Sequence, residues 1–416
     1  MTFTGDGPAR SARRQEPNSG KPVRAEAEMG SGPQPTGRAL RLLQVASFAS
    51  SFDRLAIAVM LVVIANELDS SVHAVSQAAA AYFLCYGIAQ VCWAAASDRL
   101  GRVRTMRLAL LLSAFGGFVS AAAPDTTWLL VARGFTGACF AAAIPSALVY
   151  IGDTVPVRVR QAPLTDLMTS TAAGMAVATV AAGAIAEFTS WRVAFALTAA
   201  IAAVLSVAMR GLTEPPMAAR SRIGGSLRIV LTDRWAVLVL VLTLVEGCVL
   251  LGPLTFLPAI LQANGLDVTM SGALTALYGL AVLVFARLVK RRSRRTAPAR
   301  LILIGGTLTA LCYVLLTATQ AVLPVVAGTV LLGAGWAFMH STMQTWATDV
   351  APGARAMAVS LFATMLFCGS AVAAAIAGPL VDADRFQLVF ALALATTVPL
   401  VVVATIGRRR YPPRQA

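Results

Sequence analysis

Residues 94–104 read Ala94-Ala95-Ala96-Ser97-Asp98-Arg99-Leu100-Gly101-Arg102-Val103-Arg104. Three arginines and one aspartate are packed into a short link between two long apolar runs. Such a link sits where a membrane-embedded segment turns back. Its cations and single acid can pair with neighbouring helix ends and hold them in one arrangement.

Outward from this turn the chain is mostly hydrocarbon-like. Of 416 residues, 57% are hydrophobic and 13% charged, with a mean hydropathy of +0.74. A soluble chain carries roughly 25% charged residues, so the composition is that of a protein with many membrane spans. The net charge of +15 does not point to nucleic acid. The arginines fall in short links between apolar runs and form no continuous basic face.

Twelve apolar runs are read near 39–65, 76–97, 105–123, 127–152, 165–187, 191–210, 234–261, 271–289, 300–319, 322–348, 357–381 and 386–407. Each is long enough to cross a hydrocarbon core of roughly 30 Å. Residues 1–37, rich in Gly, Pro, Ser and Arg, read as a disordered tail, with no cleavable signal peptide expected because the first apolar run begins near Ala39. The halves are 38–210 and 234–408, joined by a polar link at 211–233, and 409–416 is a second tail.

The links sort by charge. One set holds Arg99, Arg102 and Arg104; Arg158 and Arg160; Arg220, Arg222 and Arg228; Lys290 to Arg295; Arg355; and Arg408 to Arg410. The alternate set, 67–72, 123–127, 262–267 and 318–321, is poor in Lys and Arg. The positive-inside rule then places the basic links and both termini in the cytoplasm, and an even span count agrees. The chain also repeats. Asp153-Thr-Val-Pro156 ends span four as Asp349-Val-Ala-Pro352 ends span ten, with Gly137 and Gly333 equally far upstream. Tyr86-Gly87 is aligned with Tyr278-Gly279, Arg102 with Arg294 and Asp98 with Lys290, so the first half alone keeps the acid.

Twelve spans in two halves with this charged turn resemble the major facilitator superfamily of transporters. The resemblance covers about residues 39–408. The family signature after span two is Gly-x-x-x-Asp-Arg-x-Gly-Arg-x-Arg or Lys, and Ala94–Arg104 departs from it only at Ala94. A second pattern, Arg-x-x-x-Gly in span four, is met by Arg133-Gly134-Phe135-Thr136-Gly137, and the family implicates this arginine in proton handling. A third pattern, in span five of many exporters, runs Gly, eight residues, Gly, three residues, Gly-Pro. Gly174 and Gly183 fit it, but Glu187 and Phe188 stand where Gly-Pro is expected. The resemblance implies an all-helical fold of twelve spans in two pseudo-symmetric halves, alternating access and a small-molecule substrate. It also implies that Asp98, Arg99, Gly101, Arg102 and Arg104 form a gate motif, with Asp98 meeting the start of span eleven and Arg102 pairing with Asp153. Such contacts would close the basic side and favour the opposite opening.

Charge inside hydrocarbon is costly, by about 2.5 kcal/mol or more, so the few ionisable residues within spans are candidates for mechanism. Asp53 and Arg54 lie near the middle of span one, pointing about 100° apart. Asp53 reads as a proton or substrate site, or as the structural partner of Arg133. Arg133 either acts on a nearby acid, clamps an anionic substrate, or reaches outward to lipid headgroups. Glu246, deep in span seven, has no charged neighbour in sequence. Desolvation favours its neutral form, which suits reversible protonation, or a permanent interhelical hydrogen bond. His340 in span ten shares a helix face with Trp336 and reads as a titrating group or a packed ring. Glu187 and Asp267 sit at the borders and read as solvated.

Cys85, Cys92, Cys139, Cys248, Cys312 and Cys368 lie in apolar runs without metal-ligand spacing and read as buried thiols. There is no Walker-type Gly-Lys-Ser/Thr, no zinc cluster and no Gly-x-Ser-x-Gly elbow, so neither an enzyme nor a cofactor is expected. The expected partners are a small molecule, protons and the lipid bilayer, with the chain as a monomer in the cell membrane. Proton-coupled efflux of a drug or metabolite and uptake of a small organic anion, with Arg54 and Arg133 as clamp, are the competing functions. A sensor without transport activity is a third, weakened by the lack of an added soluble domain.

Overall fold

The computed structural model describes residues 1–2, 36–215, 223–292 and 295–412. The tails at 3–35 and 413–416, together with Arg220, Arg222 and the Arg294 aligned with Arg102, lie outside the described residues. Twelve helical spans cross the molecule: Gly37–Glu67, Val72–Leu100, Arg102–Ala121, Thr126–Thr154, Gln161–Phe188, Trp191–Gly211, Arg234–Ala263, Val268–Arg292, Pro298–Ala318, Val322–Val350, Pro352–Asp382 and Phe386–Arg410. They are spans one to twelve below. A shorter helix, Ile223–Thr232, sits in the link between the halves.

The starts of the spans are set locally. Ser71, Asp125, Ser190, Asp233 and Asp267 each turn a side-chain oxygen onto the backbone N–H groups of the first turn, which have no partner within the helix. Spans two and three are separated by Gly101 alone, at φ +98°. Outward-facing side chains are apolar: Leu111 and Phe115 of span three are 54% and 63% exposed, an arrangement a bilayer accepts and water does not.

Three spans are interrupted near their centres. Span four breaks between Phe140 and Ala143. Span seven gives way to a 3₁₀ turn over Pro253–Phe256, because Pro253 has no N–H to continue the ladder. Span ten carries a π-helical turn over Trp336–His340.

Hydrogen bonds define the two rims. On the basic side, Arg102 Nε donates to Asp153 Oδ2 at 3.3 Å and joins the 2–3 and 4–5 links. Arg408 Nη2 donates to Asp349 Oδ2 at 3.0 Å. Both pairs lie within one half. On the far side, contacts run between halves: His73 N donates to Asp382 Oδ1 and Thr269 N to Glu187 Oε2, each at 2.8 Å, and Gln262 Nε2 to Val59 O at 3.0 Å.

Spans two and eleven, and five and eight, form the main seam between halves. Small residues permit their close approach. A Cβ on Gly87 would meet Thr364 O at 3.0 Å, and one on Gly183 would meet Val268 O at 2.8 Å. The seam is tight on the far side and loosens toward the basic side. Span five is buried at Ala178, Thr179, Ala182 and Gly183 but exposed at Thr165, Asp166, Met168 and Thr169. Span eight is buried at Ser271, Gly272 and Thr275 but exposed at Val284, Arg287 and Leu288. The halves thus meet on the far side and part on the basic side, the reverse of the opening expected from the gate motif.

The internal repeat is visible in packing, with its register shifted by one turn. Gly137 lies against the carbonyl of Tyr82, and Gly333 against that of Tyr278; an added Cβ would meet either oxygen at 2.5 Å. By this contact Tyr82, not Tyr86, is the counterpart of Tyr278. The cysteines also differ from expectation: Cys139 and Cys312 are buried, Cys92 is exposed, and the other three are half-buried.

Candidate functional site

Two clusters of ionisable groups lie inside the bundle. The first is closed. Arg133 in span four and Asp53 in span one are both fully buried. Arg133 Nη1 and Nη2 donate to the two carboxylate oxygens at 3.1 and 2.9 Å, and Nη2 also donates to Asp53 O at 2.8 Å. Thr198 of span six donates its hydroxyl to Asp53 Oδ1 at 2.9 Å. The guanidinium lies between the Tyr82 and Phe195 rings, at 4.5 and 4.4 Å from their centroids. A two-pronged pair with an added hydroxyl and two aromatic faces offsets most of the desolvation of both charges, leaving only Arg133 Nε without a partner. Arg133 does not reach lipid headgroups.

The second cluster is open in its bonding. Arg54, one residue on, faces away from span four, as the 100° helical step requires. It is 8% exposed. Its guanidinium rests between Tyr86 of span two and Phe367 of span eleven, 5.2 and 5.1 Å from the centroids. It has no carboxylate partner among the described residues. Those two rings come from opposite halves, so Arg54 stands on the seam.

Glu246 in span seven is fully buried. Its Oε2 lies 3.3 Å from His340 Nδ1, while its Oε1 has no partner among the described residues. His340 is placed by the π turn and stacks on Trp336, with centroids 3.9 Å apart and planes 26° from parallel. Phe362 of span eleven closes its other side at 5.4 Å. Tyr278 of span eight lies edge-on to Trp336 at 6.4 Å. The tyrosine is buried, its hydroxyl is unpartnered, and it interacts electrostatically with both Arg54 and Glu246.

The gate motif forms a third cluster, on the basic rim. Arg102 Nη1 donates to Asp98 Oδ1 at 2.6 Å and its Nε to Asp153. Glu214, from the start of the link between halves, lays its carboxylate across the N-terminus of span three. It accepts from the backbone N–H groups of Arg102, Val103 and Arg104, the last at 3.2 Å. A carboxylate at this end of a helix meets the positive pole of the macrodipole. Gly101 leaves room for it: a Cβ there would meet Glu214 Cδ at 2.5 Å. Arg99 and Arg104 are exposed on the same rim.

Of the sequence candidates, the structure brings together Asp53 with Arg133, Glu246 with His340, and Arg102 with Asp98 and Asp153. It keeps Arg54 apart from Arg133. Tyr278, Tyr86, Phe367 and Glu214 were not singled out in sequence as site residues. The first two had been noted only as marks of the repeat, and Glu214 carries a signal in being an acid beside a basic link. Glu187, expected to be solvated, is exposed but bonds span eight.

Twelve spans in two six-helix halves around a charged, aromatic centre define a polytopic membrane protein, and its family places it among transporters. The profile of the Major Facilitator Superfamily matches residues 43–319 and 252–416, and the chain belongs to that family. Several solved structures share the fold. A bacterial homologue of the human lysosomal transporter Spinster, in an inward-facing and unoccupied conformation, is 15% identical with a TM-score of 0.74, covering 95% of this chain and 100% of that one. A D-xylose-proton symporter is 16% identical, TM-score 0.71, covering 88% and 96%. A peptide transporter bound to alafosfalin is 14% identical, TM-score 0.75, covering 92% and 99%. Among curated proteins no sequence matches.

Proposed function

We propose that the chain is a proton-coupled antiporter that exports a small drug-like molecule or metabolite across the cell membrane by alternating access. The observation that carries this reading is Glu246: fully buried, bonded to His340 through one oxygen and unpartnered at the other. A buried carboxylate with an unmet bonding site can take up a proton or a ligand's donor group there, and not both at once. That competition is the coupling. Glu246 is favoured over Asp53 as the proton site because Arg133 and Thr198 already occupy both oxygens of Asp53.

In this reading the basic links and both termini face the cytoplasm, and the described arrangement is the inward-open one. A cytoplasmic substrate enters and displaces the proton from Glu246. The halves rock about the seam of spans two, eleven, five and eight. The substrate leaves outward and Glu246 is reprotonated from the exterior. The rim pair Arg102–Asp153, with Asp98, steadies the basic side of the first half through the cycle. The protein works as a monomer.

A second reading, uptake of a small organic anion with a proton, is favoured by the lone cation Arg54. An anion on Arg54 would draw a proton onto the nearby Glu246, so the two would travel together. Flux in proteoliposomes with an imposed pH gradient separates the two. An acid interior drives accumulation by an antiporter; an acid exterior drives it by a symporter. Glu246→Gln is expected to abolish pH-driven flux while leaving insertion and monodispersity intact. Full pH-driven flux in that variant sinks the proton assignment.

A further inference from the structure

Arg54 and Glu246 present opposite charges from the two halves of the bundle, both inside it. Arg54 is buried mid-span with five N–H donors and only aromatic faces around it. Cation–π contact offsets part of the cost of such burial, but it supplies no acceptor for those donors. Glu246 Oε1 and the Tyr278 hydroxyl are buried and unpartnered. Buried polar groups are nearly always hydrogen-bonded, and a cluster of exceptions marks a place where something else completes the bonding. Here two exceptions, a hydroxyl donor and a carboxylate acceptor, join a cation that has no carboxylate partner among the described residues. The walls are flat and apolar, made by Tyr86, Phe367, Trp336 and Phe362.

We propose that Arg54 and Glu246 are the two poles of one substrate site, and that its ligand is a small amphoteric molecule carrying a carboxylate and a protonated amine on an aromatic body. The carboxylate takes the Arg54 fork in two parallel hydrogen bonds, with the Tyr278 hydroxyl as a further donor. The ammonium donates to Glu246 Oε1. The aromatic body stacks against the rings. The first pole belongs to the first half and the second to the other half, so only a ligand with both charges joins the halves across the seam. The inference rests on the antiport reading, since the ammonium occupies the position from which the proton is displaced. It assigns to Arg54 the recognition of substrate that this reading leaves open.

Equilibrium binding to purified protein, with no pH gradient, tests it apart from proton coupling. The probes are phenylalanine, tryptophan and 4-(aminomethyl)benzoate, each beside its methyl ester, which lacks the anion, and its N-acetyl form, which lacks the cation. At least one parent is expected to bind tenfold or more tightly than both of its derivatives. Arg54→Gln should remove the preference over the ester and keep that over the N-acetyl form. Glu246→Gln should do the reverse. Arg54→Lys, which keeps the charge, should retain most of the preference and controls for misfolding. Failure of all three parents to out-bind their derivatives overturns the proposal. Loss of pH-driven flux in Glu246→Gln together with unchanged ligand preference would keep the antiport reading and reject the site.

Discussion

Gly101 holds two constraints in one position. Its φ of +98° excludes an ordinary side chain, and the Glu214 carboxylate lies where a Cβ would go. Gly101→Ala should therefore cost about 1–3 kcal/mol from the backbone alone, read as a lowered midpoint in thermal unfolding. Adding Glu214→Ala should relieve the crowding but not the dihedral, so the double variant recovers part of the loss and the two changes are not additive. The Asp53–Arg133 pair gives a second test at this scale. Asp53→Asn leaves a fully buried guanidinium without its counter-charge, and breaking a buried pair costs about 3–5 kcal/mol. The expected result is poor expression or a strongly lowered unfolding midpoint, whereas Arg54→Gln, which breaks no pair, should be tolerated. The sequence identified Asp53, Arg54, Arg133 and Glu246 because charge in an apolar run is conspicuous. It could not sort them into satisfied and unsatisfied, because partners such as Thr198 and His340 lie 145 and 94 residues away.

At the scale of elements, the spans were legible to within five residues at every end. Hydropathy marks where hydrocarbon ends, whereas the capping residues Ser71, Asp125 and Asp233 that set the helix starts were not singled out in sequence. The interruptions in spans four and ten were not legible, since Ala141, Ala142 and the residues of the π turn are all ordinary in a helix. The far-rim caps were also hidden, being contacts between halves. They come as a related pair: Asp382 at the end of span eleven caps span two, and Glu187 at the end of span five caps span eight. Each carboxylate meets a helix N-terminus belonging to the other half. Replacing both, as Asp382→Asn with Glu187→Gln, should loosen the far rim. Spin labels at Asp69 and Ala383, two exposed far-rim positions in opposite halves, should then show a new, longer distance population. An unchanged distribution would mean that the seam glycines alone hold this rim closed.

The whole molecule was read correctly as twelve spans in two related halves, because charge alternation in the links and the Asp153/Asp349 repeat agree independently. Which way the halves lean was misread, because the gate motif was expected to close the basic side. The gate motif names the residues on the basic rim but not whether they bind across it. In the structure Arg102 spends its bonds on Asp98 and Asp153, within its own half. Labels at Thr165 and Leu288, exposed at the basic ends of spans five and eight, are expected to draw together when an alternating-access cycle closes that side. No such approach on adding substrate or acid would rule out rocking about this seam.

The π turn at Trp336–His340 has its own mechanical meaning. It stores one surplus residue inside span ten, a slack that ordinary helix geometry can absorb only by turning everything beyond it through about 100°. If the coil tightened there, the imidazole would swing off the glutamate, and the acid would be left to whatever next came within reach. A rod with a spare link at the height of its one histidine can thus act as a cam, converting a change in winding into the loss of a single hydrogen bond.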